Sequence, residues 1–575
     1  MRGLIREIAL WVTCALFASG CAGASTRAES ASAADGTASG GESITNVQEQ
    51  GVDEGGIVKT HGEHLVVLRR GRLFSVDLAG GAMRQISVAD AYPRGHRPAD
   101  WYDQMLVHGD TIVVIGFSYH DRATELGLFR IDARGHIRHR ASFQLRSNDY
   151  FSSRNYASRL VGDQLVLYVP HALGHASEGR FERSFPALRA VGGPWVEIEG
   201  PVHASLAPQS GHAVLHTVVM CDLAEEDALG CRAQGMVGAA GRTFYVSRDA
   251  VYVWIADGSV HPGAEQARPT DAMVYRLPLD GGPTGAVRAW GVPTDQLSFE
   301  EADDGRLHVL VRAEGRGDAM WSPEARAGDL ALASIPLAAF HAEGPGVDAG
   351  FYRPMPRAEG GALTNRFVGD WVLYGTGNAW RWWGGTGGGN GSVYATSWRY
   401  GGPAFRIDVD HGVERIEAMG RAAVVIGSQG RDLAFSSVAL DGGPQAIDQY
   451  LLRNASQGET RTHGFFFRDD GEGRGVLGLP VRGGNASGWH QLQYGSASVH
   501  FLRVSGQRFT ALGGLASGGG GPSDDRCVAS CVDWYGNARP IFWRGRVFAL
   551  LGYELVEGRV IADRVTETSR LMLRI

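Results

Sequence analysis

A two-strand unit recurs along this chain, and no other feature of the sequence restricts the fold as tightly. Its clearest copies are SRLVGDQLVLYVP (158–170) and NRFVGDWVLYGTG (365–377). Looser copies are HGEHLVVLRR (61–70), HGDTIVVIGF (108–117), SRDAVYVWIA (247–256), DDGRLHVLVR (303–312), MGRAAVVIGS (419–428) and WRGRVFALLG (543–552), with a further weak one around Asp469-Asp470-Gly471. Each reads as a β-hairpin: a short strand, a tight turn holding Gly or Asp, then a strongly β-forming strand. The turns lie about 45 to 65 residues apart except across two wider gaps, an insert at about 171–235 and a glycine-rich stretch before Cys527. A four-stranded propeller blade takes about 40–50 residues, so the spacing fits blades with loop insertions. LFSVDLAGG (73–81), VYRLPLDGG (274–282) and SSVALDGG (436–443) add a further strand and a Gly-Gly turn, as the outer half of a blade would.

The expected fold is therefore all-β: a single closed β-propeller over residues 44–575. Nine hairpins suggest about eight blades if the last hairpin completes a blade begun at the N-terminus; seven or nine also fit. Two β-sandwiches in tandem are the competing architecture, but they predict no blade-length repeat. The 82 glycines punctuate short segments instead of forming one tract, as tight turns between many strands require. No amphipathic helical run exceeds about ten residues beyond the N-terminal leader. Net charge is −7 and no basic face is evident, which argues against a nucleic-acid partner.

Residues 1–20 read as a lipoprotein signal peptide. Arg2 and Arg6 precede an apolar stretch from Ile8 to Ala18, too short to span a bilayer. Ala18-Ser19-Gly20-Cys21 then places small residues before a cysteine, so Cys21 is the expected lipid attachment site, although Ala18 stands where leucine is usual. Ala22, in place of aspartate, points to the outer membrane where a cell has one. Residues 21–43 contain no aromatic and no large aliphatic residue, and read as a disordered tether between lipid and domain. Cys14 leaves with the leader. The remaining four cysteines form two close pairs, Cys221 with Cys231 and Cys527 with Cys531, and an even number in an exported chain favours disulfides.

ITNVQEQGVDEGGIVKTHGEHLVVLRRGRLFSVDL (44–78) carries a family likeness. Asn46, Gln48, Gly51, Val52, Asp53, Glu54, Ile57, Val58, Lys59, Thr60 and Gly62 follow the order TN-x-Q-x-x-GVDE-x-x-IVKT-x-G. The segment resembles the bacterial secreted proteins that carry a C-terminal β-propeller domain. Weaker likeness runs through SRLVGD, LSFEEADDGRLHVLV (297–311) and ARPIFWRGRVFALLG (538–552). Gly56 and His61 depart from the acidic residues that family tends to have there, which would weaken any cation site built on them. The resemblance implies a propeller at the cell envelope and no settled biochemical activity.

No linear catalytic motif is present: no G-x-S-x-G, no H-E-x-x-H, no P-loop. Asp303-Asp304-Gly305 and Asp469-Asp470-Gly471 lack the alternating ligands of a calcium loop and read as turns; neither metal nor cofactor is expected. Asp53, Glu54 and Lys59 form a candidate group for binding or ring closure. Lys59 is the only lysine, so all the other 54 of the 55 basic residues are arginine. Its retention suggests a site that needs a compact ammonium. Arg159 and Arg366 occupy the same place in the two best repeats and are expected to project toward the central channel and meet carboxylates. Trp380, Trp382 and Trp383 precede GGTGGGNGS and form a candidate aromatic surface for sugars or a protein.

These features predict a monomeric, non-enzymatic lipoprotein of the cell envelope, held to the membrane only by its lipid. It would bind or scaffold an envelope protein, peptide or glycan. The alternative is an envelope hydrolase or lyase with its active site at the channel mouth. Clustered carboxylate, histidine and arginine at one mouth would favour the enzyme. Cys21→Ser should move the protein from the membrane pellet to the soluble fraction on cell fractionation; retention in the pellet would place the anchor elsewhere.

Overall fold

The computed structural model describes the strands Thr37–Ala38 and Gly41–Glu42 and residues 45–575, apart from 94, 151–156, 174–184, 205–212, 225–228, 259–268, 316, 318–325, 342–345, 347, 359–361, 378–390, 484–496, 519–524 and 532–537. Cys21, Trp380, Trp382 and Trp383 lie outside the described residues. Nine small sheets, each an antiparallel meander of at least four strands, form the ring of a β-propeller. Every hairpin found in the sequence is the inner half of one blade. Blade 1 begins with Val58–His61 and His64–Arg69, blade 3 with Ser158–Val161 and Gln164–Ala172, and blade 6 with Ala362–Val368 and Trp371–Gly377. In the two best repeats the turns open on Gly162 and Gly369 at φ +60° and +54°, the left-handed conformation that a two-residue hairpin demands.

The inner strands of the remaining blades are Trp101–His108 (blade 2), Gly241–Val246 (blade 4), Phe299–Ala302 (blade 5), Arg415–Met419 (blade 7), Phe466–Gly471 (blade 8) and Ala538–Trp543 (blade 9). Second strands such as His64–Arg69 are buried throughout, because neighbouring blades cover both faces of the sheet. Outermost strands such as Arg84–Asp90 face water. Nine hydrophobic clusters fill the nine gaps between consecutive blades. Among the described residues no helix is long and apolar enough to cross a membrane.

The ring has nine blades where about eight were expected, because the first and last hairpins do not share one. Blade 9 completes itself with Glu554–Ile561 and Arg564–Met572, and blade 1 with Arg72–Asp77 and Arg84–Asp90. No strand crosses the seam, which is sealed by side chains: Val67, Phe74 and Val76 pack on Ile541, Phe548 and Leu555. The strand left over at the N-terminus, Val52–Glu54, goes elsewhere. It pairs antiparallel with Ser158–Val161, as an extra innermost strand of blade 3.

Both wide gaps have a structural use. The insert returns to blade 2, where Ala187–Ala190 and Val196–Glu197 extend the outer edge, and its Val202–Ala204 runs parallel to the outer strand of blade 3. Cys221 and Cys231 are direct cross-strand partners there and form a disulfide. The second disulfide, Cys527–Cys531, closes a small loop that straddles the ring seam. Asp525 accepts from Arg70 of blade 1 and from Tyr553 of blade 9, both at 2.8 Å. Ala529 enters the core between blades 1 and 2, and the Ser530 hydroxyl donates to the Tyr102 carbonyl of blade 2 at 3.0 Å. One loop thus clasps blades 9, 1 and 2. Replacing Cys527 and Cys531 by serine should lower unfolding free energy by about 2 kcal/mol, since the closed loop is short. Denaturant melts of the parent and the double variant would check it.

Candidate functional site

The innermost strands of nine blades surround a central channel, and the chain fills it with its own opening segment. Asn46 donates to Glu417 of blade 7 and to the Thr462 carbonyl before blade 8, each at 3.1 Å. Gln48 donates to the carbonyls of Gln296 and Phe299 in blade 5, at 2.7 and 3.2 Å. Tyr245 of blade 4 donates to Glu49 at 2.6 Å, and Arg248 holds the Gln50 side chain at 3.2 Å. The segment turns at Gly51, rises as Val52–Glu54 along blade 3, bridges to Met105 of blade 2 through Gly56, and enters blade 1. With Arg366 of blade 6 donating to the Val47 carbonyl at 3.5 Å, it touches seven of the other blades within a dozen residues, so the signature residues Asn46, Gln48, Gly51 and Glu54 are the contacts of a hub. Gly55 belongs with them: a Cβ there would lie 2.4 Å from Ser158 Oγ and 2.9 Å from Gln104 Oε1.

Lys59 explains its own retention. Its Nζ lies 2.6 Å from Asp53 Oδ1, 2.7 Å from the Glu54 carbonyl and 3.1 Å from Thr45 Oγ1. Three acceptors converge on one point, which suits the three N–H bonds of an ammonium and not a planar guanidinium. The side chain is buried, while Asp53 stays one-third exposed. The lysine therefore ties the start of blade 1 back onto the turn that precedes it.

Arg159 and Arg366 both reach channel carboxylates, though not each other's. Arg159 lies 3.9 Å from Glu54, and Arg366 lies 3.5 Å from Glu417. Two further arginines on inner strands complete the network. Arg415 pairs with Glu417 at 2.8 Å and donates to the carbonyls of Glu459 and Arg461; Arg539 pairs with Glu459 at 2.9 Å. All these groups are buried. Burial alone would raise the Glu54 carboxyl, yet the Arg159 guanidinium and the His463 N–H together hold it well below the usual carboxylate range. Glu459 is lowered the same way, with Arg539 and Arg461 outweighing burial. His463 is pushed down by burial against the opposing pull of Glu54, so a neutral ring donating from Nε2 at 2.9 Å fits. Carboxylates with depressed pKa stabilise the fold above the ordinary carboxylate range and lose that contribution as pH falls. The hub is therefore at full strength at neutral pH.

The sequence reading missed Arg415, Arg539, Glu417, Glu459 and His463. A signal for the arginines exists: Arg159 in Ser-Arg-Leu, Arg366 in Asn-Arg-Phe, Arg415 in Glu-Arg-Ile and Arg539 in Ala-Arg-Pro each precede an apolar inner-strand residue or proline. Glu417 is two residues from Arg415 on the same strand, but Glu54, Glu459 and His463 reach their partners from distant parts of the chain and leave no local trace.

One acidic group near the channel is built differently. The inner strand of blade 2 slips register between Tyr102 and Gln104, so Asp103 sits on a β-bulge. Burial, against the pull of Arg461 and helped by the nearby Asp149, raises its carboxyl to about 7. Glu49 and Glu300 are also raised, by burial first. Among the described residues no group of three or more His, Cys, Asp or Glu side chains is arranged to hold a metal ion.

The fold and this site define a nine-bladed propeller whose inner strands are cross-linked by its own opening segment. A family model for the β-propeller domain matches residues 42–329, from the hub segment into blade 5, and the chain belongs to that family. No curated protein matches it. Among solved structures it is similar to a prolyl endopeptidase, at 11% identity and TM-score 0.33 over 80% of this chain; it spans 55% of that one. It is also similar to a putative 6-phosphogluconolactonase from Bacteroides uniformis, at 8% identity and TM-score 0.28 over 72% of this chain and 97% of that one. A third is Hsv2p of Kluyveromyces lactis, at 11% identity and TM-score 0.28 over 64% and 97%.

Lys59→Met should cost about 3 kcal/mol of unfolding free energy, because the Glu54 carbonyl and the Thr45 hydroxyl lose a charged donor and the partly exposed Asp53 loses its ion partner. An exposed pair would cost less than about 1 kcal/mol. A variant that melts like the parent would remove Lys59 from the hub.

Proposed function

We propose that this chain is an exported, lipid-anchored propeller that binds or scaffolds a protein, peptide or glycan of the cell envelope, with its outer faces as the working surface. One observation carries this reading. Carboxylate, histidine and arginine do cluster in the channel, as an enzyme would require, but they are buried and pair with one another and with residues 46–54. A propeller enzyme needs those groups turned toward a substrate. Here they are buried and hold the ring together. Two disulfides fit an oxidising compartment outside the cytosol, and residues 1–21 supply the sequence basis for export and lipidation.

Asp103 favours the second reading, an envelope hydrolase or lyase at the channel mouth. A bulge-borne carboxyl that titrates near 7 beside an arginine has the protonation behaviour of a general acid–base. The two readings separate in one pair of measurements. Cross-linked envelopes carrying the intact lipoprotein should yield a reproducible envelope partner, recovered equally well with Asp103→Asn. Turnover of model ester, amide or glycoside substrates by the parent and not by Asp103→Asn would replace the binding reading with the enzymatic one.

A further inference from the structure

Tyr400 is the most exposed large apolar side chain among the described residues, at 77% of its full accessibility, yet the turn that carries it is held rigidly. It lies between the third and fourth strands of blade 6, Gly391–Ser397 and Phe405–Val409. The Tyr400 N–H donates to Ser397 Oγ at 2.9 Å. Arg353 of blade 5 donates to the Ser397 and Gly402 carbonyls at 2.8 and 3.0 Å, bracketing the ring from both ends of the turn. Gly401 and Gly402 supply the two positive φ angles, +70° and +92°, that fold the chain back.

The residue before it is fixed as firmly. Arg399 donates to Asp370 at 2.6 Å and to Asp303 at 2.8 Å, and its guanidinium stacks on Trp398 at 4.6 Å. Asp303 and Asp370 lie in the inner hairpin turns of blades 5 and 6, so the aromatic ring and the carboxylates share one end of the propeller. Asp303 is more than half exposed, and its carboxylate has acceptor capacity beyond the single bond to Arg399. Phe405, 40% exposed, meets Trp371 edge-on at 5.8 Å on the same rim.

We propose that this rim is a carbohydrate-binding subsite. A neutral pyranose would stack on Tyr400 while its hydroxyls donate to Asp303 and Asp370 and accept from Arg399. The chemistry selects a sugar over a protein partner. A stable protein interface covers about 800 Å² on each side, and here one fully presented ring is flanked by charged groups, which suits a ligand with one apolar face and a polar edge. A platform already ordered loses little entropy on binding. The two aspartates and the arginine sum to one negative charge, which disfavours anionic sugars.

This inference rests on the binding-module reading and names its ligand class. The full chain should be titrated calorimetrically with three neutral tetrasaccharides: β-1,4-linked N-acetylglucosamine, α-1,4-linked glucose and β-1,4-linked mannose. At least one should bind, Tyr400→Ala should weaken it about tenfold, and Tyr400→Trp should keep it. Tyr400 is exposed, so all three proteins should melt alike. If none of the sugars binds, or if the parent and Tyr400→Ala bind equally, the subsite does not exist. An envelope partner recovered while every sugar fails would leave the binding-module reading standing and sink the platform. Tyr400-dependent sugar binding without any envelope partner would do the reverse.

Discussion

The structure depends on how this chain satisfies the inner edge of a nine-bladed ring. Each blade ends at the channel in a strand whose outward edge has no neighbour, and its N–H and C=O groups need partners. Val52–Glu54 supplies them for blade 3, and Gly56 does so for Met105 of blade 2. The same few residues bring Glu54 to Arg159 and His463, and Asn46 to Glu417. A strand that would ordinarily seal a propeller by joining first and last blades has been spent on the centre.

That choice sets the demands on the seam. With no shared strand, blades 9 and 1 hold together by apolar packing and by the loop around Cys527 and Cys531, which grips Arg70, Tyr553 and Tyr102 together. The closure is therefore made twice, once at the hub by buried ion pairs and once near the rim by a disulfide-braced clasp. Buried ion pairs contribute little net stability against apolar substitutes, but a lone surviving partner is costly. Such a hub specifies one arrangement of blades more than it strengthens the fold. On the proposed binding reading, recognition would fall to the turns and loops of the faces, which differ from blade to blade.

Much of the architecture could be read from residues alone. All nine inner hairpins were visible as short motifs, because a hairpin is local: alternation, β-branched residues and a turn glycine lie within a dozen positions. The lone lysine was visible by its rarity, and its acceptors Asp53 and Thr45 are near in sequence. The disulfide pairs were visible because each links residues ten or fewer positions apart. The blade count came out one short because strand exchange across the seam was assumed, and no residue near either end reports whether its strand pairs with the other terminus. Arg159 and Arg366 looked equivalent, and both meet the opening segment, but only Arg366 also reaches a carboxylate of blade 7.

What the sequence by itself determined was the set of inner hairpins, the cysteine pairing and the importance of the opening motif, since each rests on contacts between near neighbours or on composition. Only the tertiary structure decided where that motif goes. The strand Val52–Glu54 is compatible with any free β edge, and its pairing with Ser158–Val161 follows from which ring of blades brings an arginine and a histidine, 105 and 409 residues away from Glu54, to the same carboxylate. Long-range charge pairing of this kind leaves no periodicity in the chain; it exists only once nine separate hydrophobic interfaces have set the radius of the channel.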